Sequence, residues 1–369
     1  MRLVVFGLAV SSSWGNGHAT LWRGLIGALT RQGHEVAFFE KDVPWYRDTR
    51  DLRRLPDGAE LVLYPDWDSA LPRARAALAR ADAAMVTSFC PDGPAASALV
   101  LDAAPGLAVF YDMDTPVTLA RLEGGERVDY LPPQGLADFD LVLSYTGGRA
   151  LDLLRTRLGA RRTAPLYGHV DPAAHRPGEP RDAFRGALSY LGTYAADRQA
   201  ALERLFVAPA RERPGLRFVL GGSGYPPDFP WADNIFFVKH LPPPDHPAFF
   251  ASSRLTLNVT RADMARMGWC PSGRLFEAAA CGIPVLSDAW EGLDAFLAPG
   301  GEILTASTTE EAIAALSLPD AELSRIARAA RDRTLAQHSS DARARELVAL
   351  LGGSAPARPD QQGEVVCGE

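Results

Sequence analysis

Three short segments of this chain hold the residue types that do chemistry, each at a spacing that a strand-to-helix turn provides. The first is Ser11 to His18 (SSSWGNGH). Glycines at Gly15 and Gly17 let backbone approach a ligand closely, and the free N–H groups of a following helix favour an anion. His18, at that helix start, is expected to be biased neutral and able to accept or donate a proton. The second is Tyr111 to Pro116 (YDMDTP), with carboxylates at Asp112 and Asp114. Such a pair can hold a divalent ion or supply a base, and it can equally be a turn in which Asp114 caps the next helix. The expectation is a cleft-facing loop in which Asp114 touches a second substrate. The third is Pro271 to Asp288 (PSGRLFEAAACGIPVLSD). Ser272 is placed to cap a helix, Gly282 to end it, and Pro284 to begin a strand. Glu277 interrupts an otherwise apolar helix, so its carboxylate needs a partner. Two ribose hydroxyls would serve, as would an arginine such as Arg274 or Arg261.

The elements that must position these segments alternate. Near-continuous apolar strands are predicted at Leu3–Leu8, Val36–Glu40, Glu60–Leu63, Ala84–Ser88, Ala108–Tyr111 and Leu141–Ser144, with helical patterns such as Ala19–Arg31 and Arg149–Leu158 between them. A Pro- and Gly-rich stretch from His169 to Pro180 breaks the pattern. The alternation then restarts with strands at Leu188–Leu191, Arg217–Leu220, Ile235–Val238, Leu255–Val259 and Val285–Ser287. This is the pattern of two parallel, doubly wound α/β units joined by a linker, each binding ligand at the carboxyl ends of its strands. The expected division is a Rossmann-like acceptor domain over 1–168, a Rossmann-like donor domain over 169–352, and a disordered tail over 353–369.

Composition narrows the function classes. With 369 residues, 47% hydrophobic and 22% charged, the chain suits two globular cores. A net charge of −7 offers no footprint for nucleic acid. No apolar run is long enough for a transmembrane segment, and the apolar opening after Met1 reads as a first strand. Cys90, Cys270, Cys281 and Cys367 form no CxxC pair, which argues against structural zinc or a disulfide framework and suggests a cytoplasmic location. Lys41 and Lys239 are the only lysines, so a phosphate clamp would have to use arginine or backbone N–H groups.

The third segment resembles the E-A-x-A-x-G-x-P-V motif of the group 1 glycosyltransferases, two-domain enzymes of the GT-B architecture. The family often carries a second glutamate eight positions earlier; here that position is Trp269. Gly192 to Arg198 (GTYAADR), Leu257 to Arg261 (LNVTR) and Gly168 to Pro172 (GHVDP) resemble the narrower CgeB-like spore-maturation glycosyltransferases. The resemblance runs to Leu351 and implies transfer of a sugar, hexosyl or related, from a nucleotide-sugar to an unidentified acceptor. It implies no obligatory metal and no cofactor, the nucleotide-sugar being a substrate. Glu277 would hold the ribose. Ser272, Gly273 and Arg274 would lie at the diphosphate, near Gly192 and Thr193, with Arg198 as counter-charge for the departing phosphate. Lys239 and His240 would flank the nucleobase, and Gly15, Gly17 and His18 would close the opposite wall. His18 or Asp114 would stand nearest the reacting carbon. Two alternatives compete: a phosphatase built on Asp112 and Asp114, whose motif fails at Pro116, and a non-catalytic nucleotide-binding scaffold.

Overall fold

The computed structural model describes residues 1–353; from 354 onward, the tail expected to be disordered lies outside the described residues. Two parallel sheets build the molecule. The first contains β1 (Arg2–Gly7), β2 (Glu35–Lys41), β3 (Ala59–Tyr64), β4 (Ala83–Thr87), β5 (Ala108–Asp112), β6 (Leu141–Ser144) and β7 (Thr163–Pro165), in the order β3-β2-β1-β4-β5-β6-β7. The second contains β8 (Gly186–Leu191), β9 (Phe218–Gly222), β10 (Ile235–Lys239), β11 (Ser253–Asn258), β12 (Val285–Ser287) and β13 (Leu304–Thr305), in the order β10-β9-β8-β11-β12-β13. Alternation along each strand feeds a core on both faces. Leu3 and Val5 pack into one helix layer of the first unit, Val4 and Phe6 into the other.

In each sheet the strand order reverses at one place, between β1 and β4 and between β8 and β11. A crevice opens beyond the carboxyl ends of strands at such a reversal. The loops after β1, β5, β8 and β11 are the ones that hold the chemically suggestive segments, together with the start of the Gly273–Ala280 helix.

The end of the chain departs from a simple two-unit reading. The Ser340–Gly352 helix returns to the first unit, where Ala344, Leu347 and Leu351 join the core around Leu3, Val5 and Trp22. Two chain crossings therefore join the units, and they lie side by side. Val170 of the linker pairs with Ser339; Val170 N–H donates to His338 O at 2.9 Å, and Ser340 N–H donates to Val170 O at 2.7 Å. The apolar periodicity of the last helix shows that it is amphipathic but not which sheet receives it.

Candidate active site

A cavity of about 350 Å³ lies between the two units. Its first-unit wall starts with the loop after β1. That loop is held rigidly: Glu40 accepts hydrogen bonds from the N–H groups of Val10 (2.7 Å) and Ser11 (2.9 Å), and Asp51 accepts from Ser13 and from Arg23. Asn16 caps the Gly17–Arg31 helix by accepting from His18 N–H at 3.1 Å. Gly15 adopts φ +62, a conformation that favours glycine.

His18 Nε2 lies 2.9 Å from Asp114 Oδ2, and the same oxygen accepts from Ser88 Oγ at 2.9 Å. Burial would push the imidazole pKa down, but the charge and hydrogen bond of Asp114 outweigh it, and the His18 pKa is raised. The expectation of a neutral imidazole fails for that reason: a carboxylate 96 positions away in sequence overrides the helix start. Burial likewise pushes Asp114 up, and His18 more than offsets it, so Asp114 is held below its ordinary range. Asp114 does sit at the helix N-cap position, but its side chain makes no capping bond and turns to His18 instead.

The two carboxylates of this segment are not equivalent. Asp112 is fully buried at the end of β5, and its Oδ1 accepts from Asp114 N–H at 2.9 Å. Burial first, and then the charge of Asp114, lift its pKa to about 7. A phosphatase nucleophile must be reachable by substrate, and Asp112 is absent from the cavity wall.

The second-unit wall carries Gly192 and Thr193 after β8, Gly222 and Ser223 at the end of β9, Asn258 to Arg261 at the end of β11 and beyond it, and Ser272 to Arg274. Ser272 caps the Gly273–Ala280 helix, accepting from Arg274 N–H at 3.3 Å. Three arginines face the space. Arg261 is paired with Asp197 at 3.1 Å and Arg274 with Glu277 at 2.5 Å. Arg198 donates to Thr193 O at 3.3 Å and has no carboxylate partner among the described residues, so its charge is available to a ligand. Glu277 takes Arg274 as its partner, not Arg261, and is flanked by His175 at 3.8 Å and His246 at 3.9 Å. Burial raises the Glu277 pKa, but Arg274 and the two imidazoles outweigh that and hold it at about 2.

Of the thirteen residues singled out from the sequence, twelve line this one cavity: Gly15, Gly17, His18, Asp114, Gly192, Thr193, Arg198, His240, Ser272, Gly273, Arg274 and Glu277. Lys239 does not; it is exposed at the end of the edge strand β10. His240, at φ +52, turns the chain back and stacks on Trp14 of the opposite unit, with ring centroids 5.5 Å apart. His175 and His246 carried no signal in the sequence, because 71 positions separate two histidines that only folding brings together.

A family model described as glycosyl transferase-like matches residues 198–349. A search of curated protein sequences finds no match. Among solved structures, sucrose-phosphate synthase from Thermosynechococcus elongatus aligns with TM-score 0.69 at 15% identity, covering 95% of this chain and 98% of that one. HepE of Anabaena, solved with UDP and glucose, aligns with TM-score 0.65 at 13% identity over 96% of this chain and 100% of that one. AviGT4, a glycosyltransferase of avilamycin A biosynthesis, aligns with TM-score 0.59 at 18% identity over 96% of this chain and 99% of that one. At these identities the likeness shows the fold, and the fold is GT-B. No helix among the described residues is long and apolar enough to cross a membrane.

Proposed function

We propose, from a GT-B fold whose second half is glycosyl transferase-like, that this protein transfers a sugar from a nucleotide-sugar to an acceptor hydroxyl without an obligatory metal. The observation that carries this reading is one cavity with opposite chemistry on its two walls. The second-unit wall offers Arg198, Arg261, Arg274 and a helix start, the groups a departing diphosphate requires. Preorganised donors aimed at developing charge stabilise it by about 3–4 kcal/mol each in a water-poor site. Glu277 is the proposed ribose ligand. HepE in complex with UDP-glucose supports a nucleotide-sugar of that class, and a hexosyl donor is proposed on that likeness.

The first-unit wall is proposed to bind the acceptor. It contributes the His18–Asp114 pair to the cavity and no lysine or arginine among its described lining residues. Its nearby cations are already committed: Arg23 to Asp51, Lys41 to Asp92 and Arg50 to Asp42. That wall suits an uncharged hydroxyl acceptor, with the Asp114 carboxylate positioned to take its proton and His18 to orient that carboxylate. The CgeB-like kinship, suggested by the segments at 168–172, 192–198 and 257–261, and a cytoplasmic location are parts of the same proposal.

Calorimetric titration with UDP, GDP, ADP and TDP tests it. Binding of one diphosphate that weakens at least tenfold in Glu277→Ala, about 1.4 kcal/mol, and stays within twofold in Lys239→Ala is the expected result. Failure of all four to bind the wild type would remove the donor site from the proposal.

A further inference from the structure

At the donor wall Glu277 meets two histidines to which the proposed sugar transfer assigns no role. His175 comes from the linker, His246 opens the His246–Ala251 helix, and Glu277 projects from the Gly273–Ala280 helix. Their side chains are only 1%, 8% and 12% exposed. His175 Nε2 is 3.2 Å from His246 Nδ1, and Glu277 Oε2 is 3.8 and 3.9 Å from those two nitrogens. A triangle with sides of 3.2, 3.8 and 3.9 Å has a circumradius of about 2.1 Å, so one point lies that far from all three atoms. Zinc bonds imidazole nitrogen at about 2.0–2.1 Å and carboxylate oxygen at about 2.0–2.2 Å.

Hydrogen-bond accounting points the same way. The single lone pair of His246 Nδ1 is approached at 3.2 Å both by Arg274 Nη1 and by His175 Nε2, and it can accept from only one of them. If arginine donates, His175 Nε2 is left 3.2 Å from a ring nitrogen whose one lone pair is already taken. A cation at the common point satisfies all three donor atoms at once. The guanidinium now holds part of that position, 2.5 Å from Glu277 Oε2. Arg274 sits on the first turn of its helix, is 29% exposed and borders the cavity, so it has open space to move into.

We infer that His175, His246 and Glu277 form a site for a divalent transition-metal ion of the Zn²⁺ class, occupied in exclusion of the Arg274 guanidinium. The ion takes the oxygen that Glu277 would give to a ribose and turns Arg274 out into the cleft. It therefore acts against donor binding. That last consequence rests on the proposed function; the metal site itself does not.

The test uses the chelator-treated full chain, with Cys367, outside the described residues, changed to Ser in every protein compared. Co²⁺ absorption reports tetrahedral coordination, and competition against a chromophoric chelator gives the Zn²⁺ affinity. One ion per chain is expected, with His175→Ala and His246→Ala each weakening binding at least tenfold. Arg274→Ala should tighten it at least tenfold, because the competing cation is gone; a gain in affinity cannot come from misfolding, and urea unfolding of each variant confirms that it folds. Affinity unchanged in both histidine variants, or unchanged or weaker in Arg274→Ala, overturns the inference. If Zn²⁺ binds as described but does not compete with the nucleoside diphosphate, the metal site stands and the ribose role of Glu277 falls.

Discussion

Changing Asp114 to Asn keeps the shape of the side chain and removes the charge that faces His18 Nε2 at 2.9 Å. With side chains 15% and 18% exposed, water has little room to replace the lost partner. Burial is the largest influence on His18 and acts downward; the charge and hydrogen bond of Asp114 are the next two and act upward. Removing the charge, and leaving only a neutral amide acceptor, should carry the imidazole from above 6.5 to below it. Breaking a largely buried pair by deleting one charge costs about 3–5 kcal/mol, and the residual exposure argues for about 3. The sign follows from linkage. The raised His18 pKa stabilises the fold fully below 6.5 and is lost as pH rises through the folded value. The lowered Asp114 pKa stabilises above 3.8 and is lost as pH falls through its folded value. The stability gap between wild type and mutant should thus be widest between 3.8 and 6.5, narrowing above 6.5 as pH approaches the folded pKa of His18 and below 3.8 as pH approaches that of Asp114. Ring NMR titration of His18 and urea unfolding across pH measure both quantities, and turnover should drop about 10²–10⁴-fold if Asp114 takes the acceptor proton. An imidazole that titrates at or above its wild-type pKa, or a gap constant with pH, would refute the reasoning.

Leu347 lies fully buried in the first-unit core although it belongs to the last helix, so Leu347→Ala should cost about 2–5 kcal/mol in urea unfolding followed by the fluorescence of Trp22 in the same core. A loss under 1 kcal/mol, about one buried CH₂, would mean that the returning helix is not part of that core. Gly148 has φ +53, and a Cβ there would meet Trp269 Cδ1 at 2.5 Å. Gly148→Ala should therefore lower stability by about 1–3 kcal/mol, with the denaturation midpoint as readout, and an unchanged midpoint would show that the indole yields freely.

Both doubly wound units were legible because their buried strands carry apolar runs bounded by turn residues, and every strand of four or more residues was anticipated. The two that were not, β7 and β13, have three and two residues and too little periodicity to stand out. The loops after β1, β5 and β8 were legible as places where ligand can approach, since glycine, proline and carboxylates cluster there. What each side chain does inside the cavity was not. The charge of His18 depends on Asp114, the partner of Glu277 had two arginine candidates in sequence, and Asp112 differs from Asp114 only through burial. The first is a pairwise fact between segments whose separation the chain order does not reveal, and the other two depend on burial and on which neighbour a side chain turns to. The returning helix has the same character: its apolar face was readable, its destination was not.

Trp269 shows what such a long-range fact can change. The resemblance to group 1 enzymes often places a glutamate at this position. Here the residue adopts φ +49, donates its N–H to Glu291 O at 2.7 Å and accepts from Gly147 N–H at 2.9 Å. Its ring is held between Gly148 of the first unit and Gly292 of the second, each so close that an added Cβ would approach it to 2.5 Å. The indole is absent from the cavity wall and present at the joint between the units. A flat ring between two glycines resists sliding, because neither surface has a side chain that could move aside. The position thus supplies a steric contact that fixes how the two walls face each other.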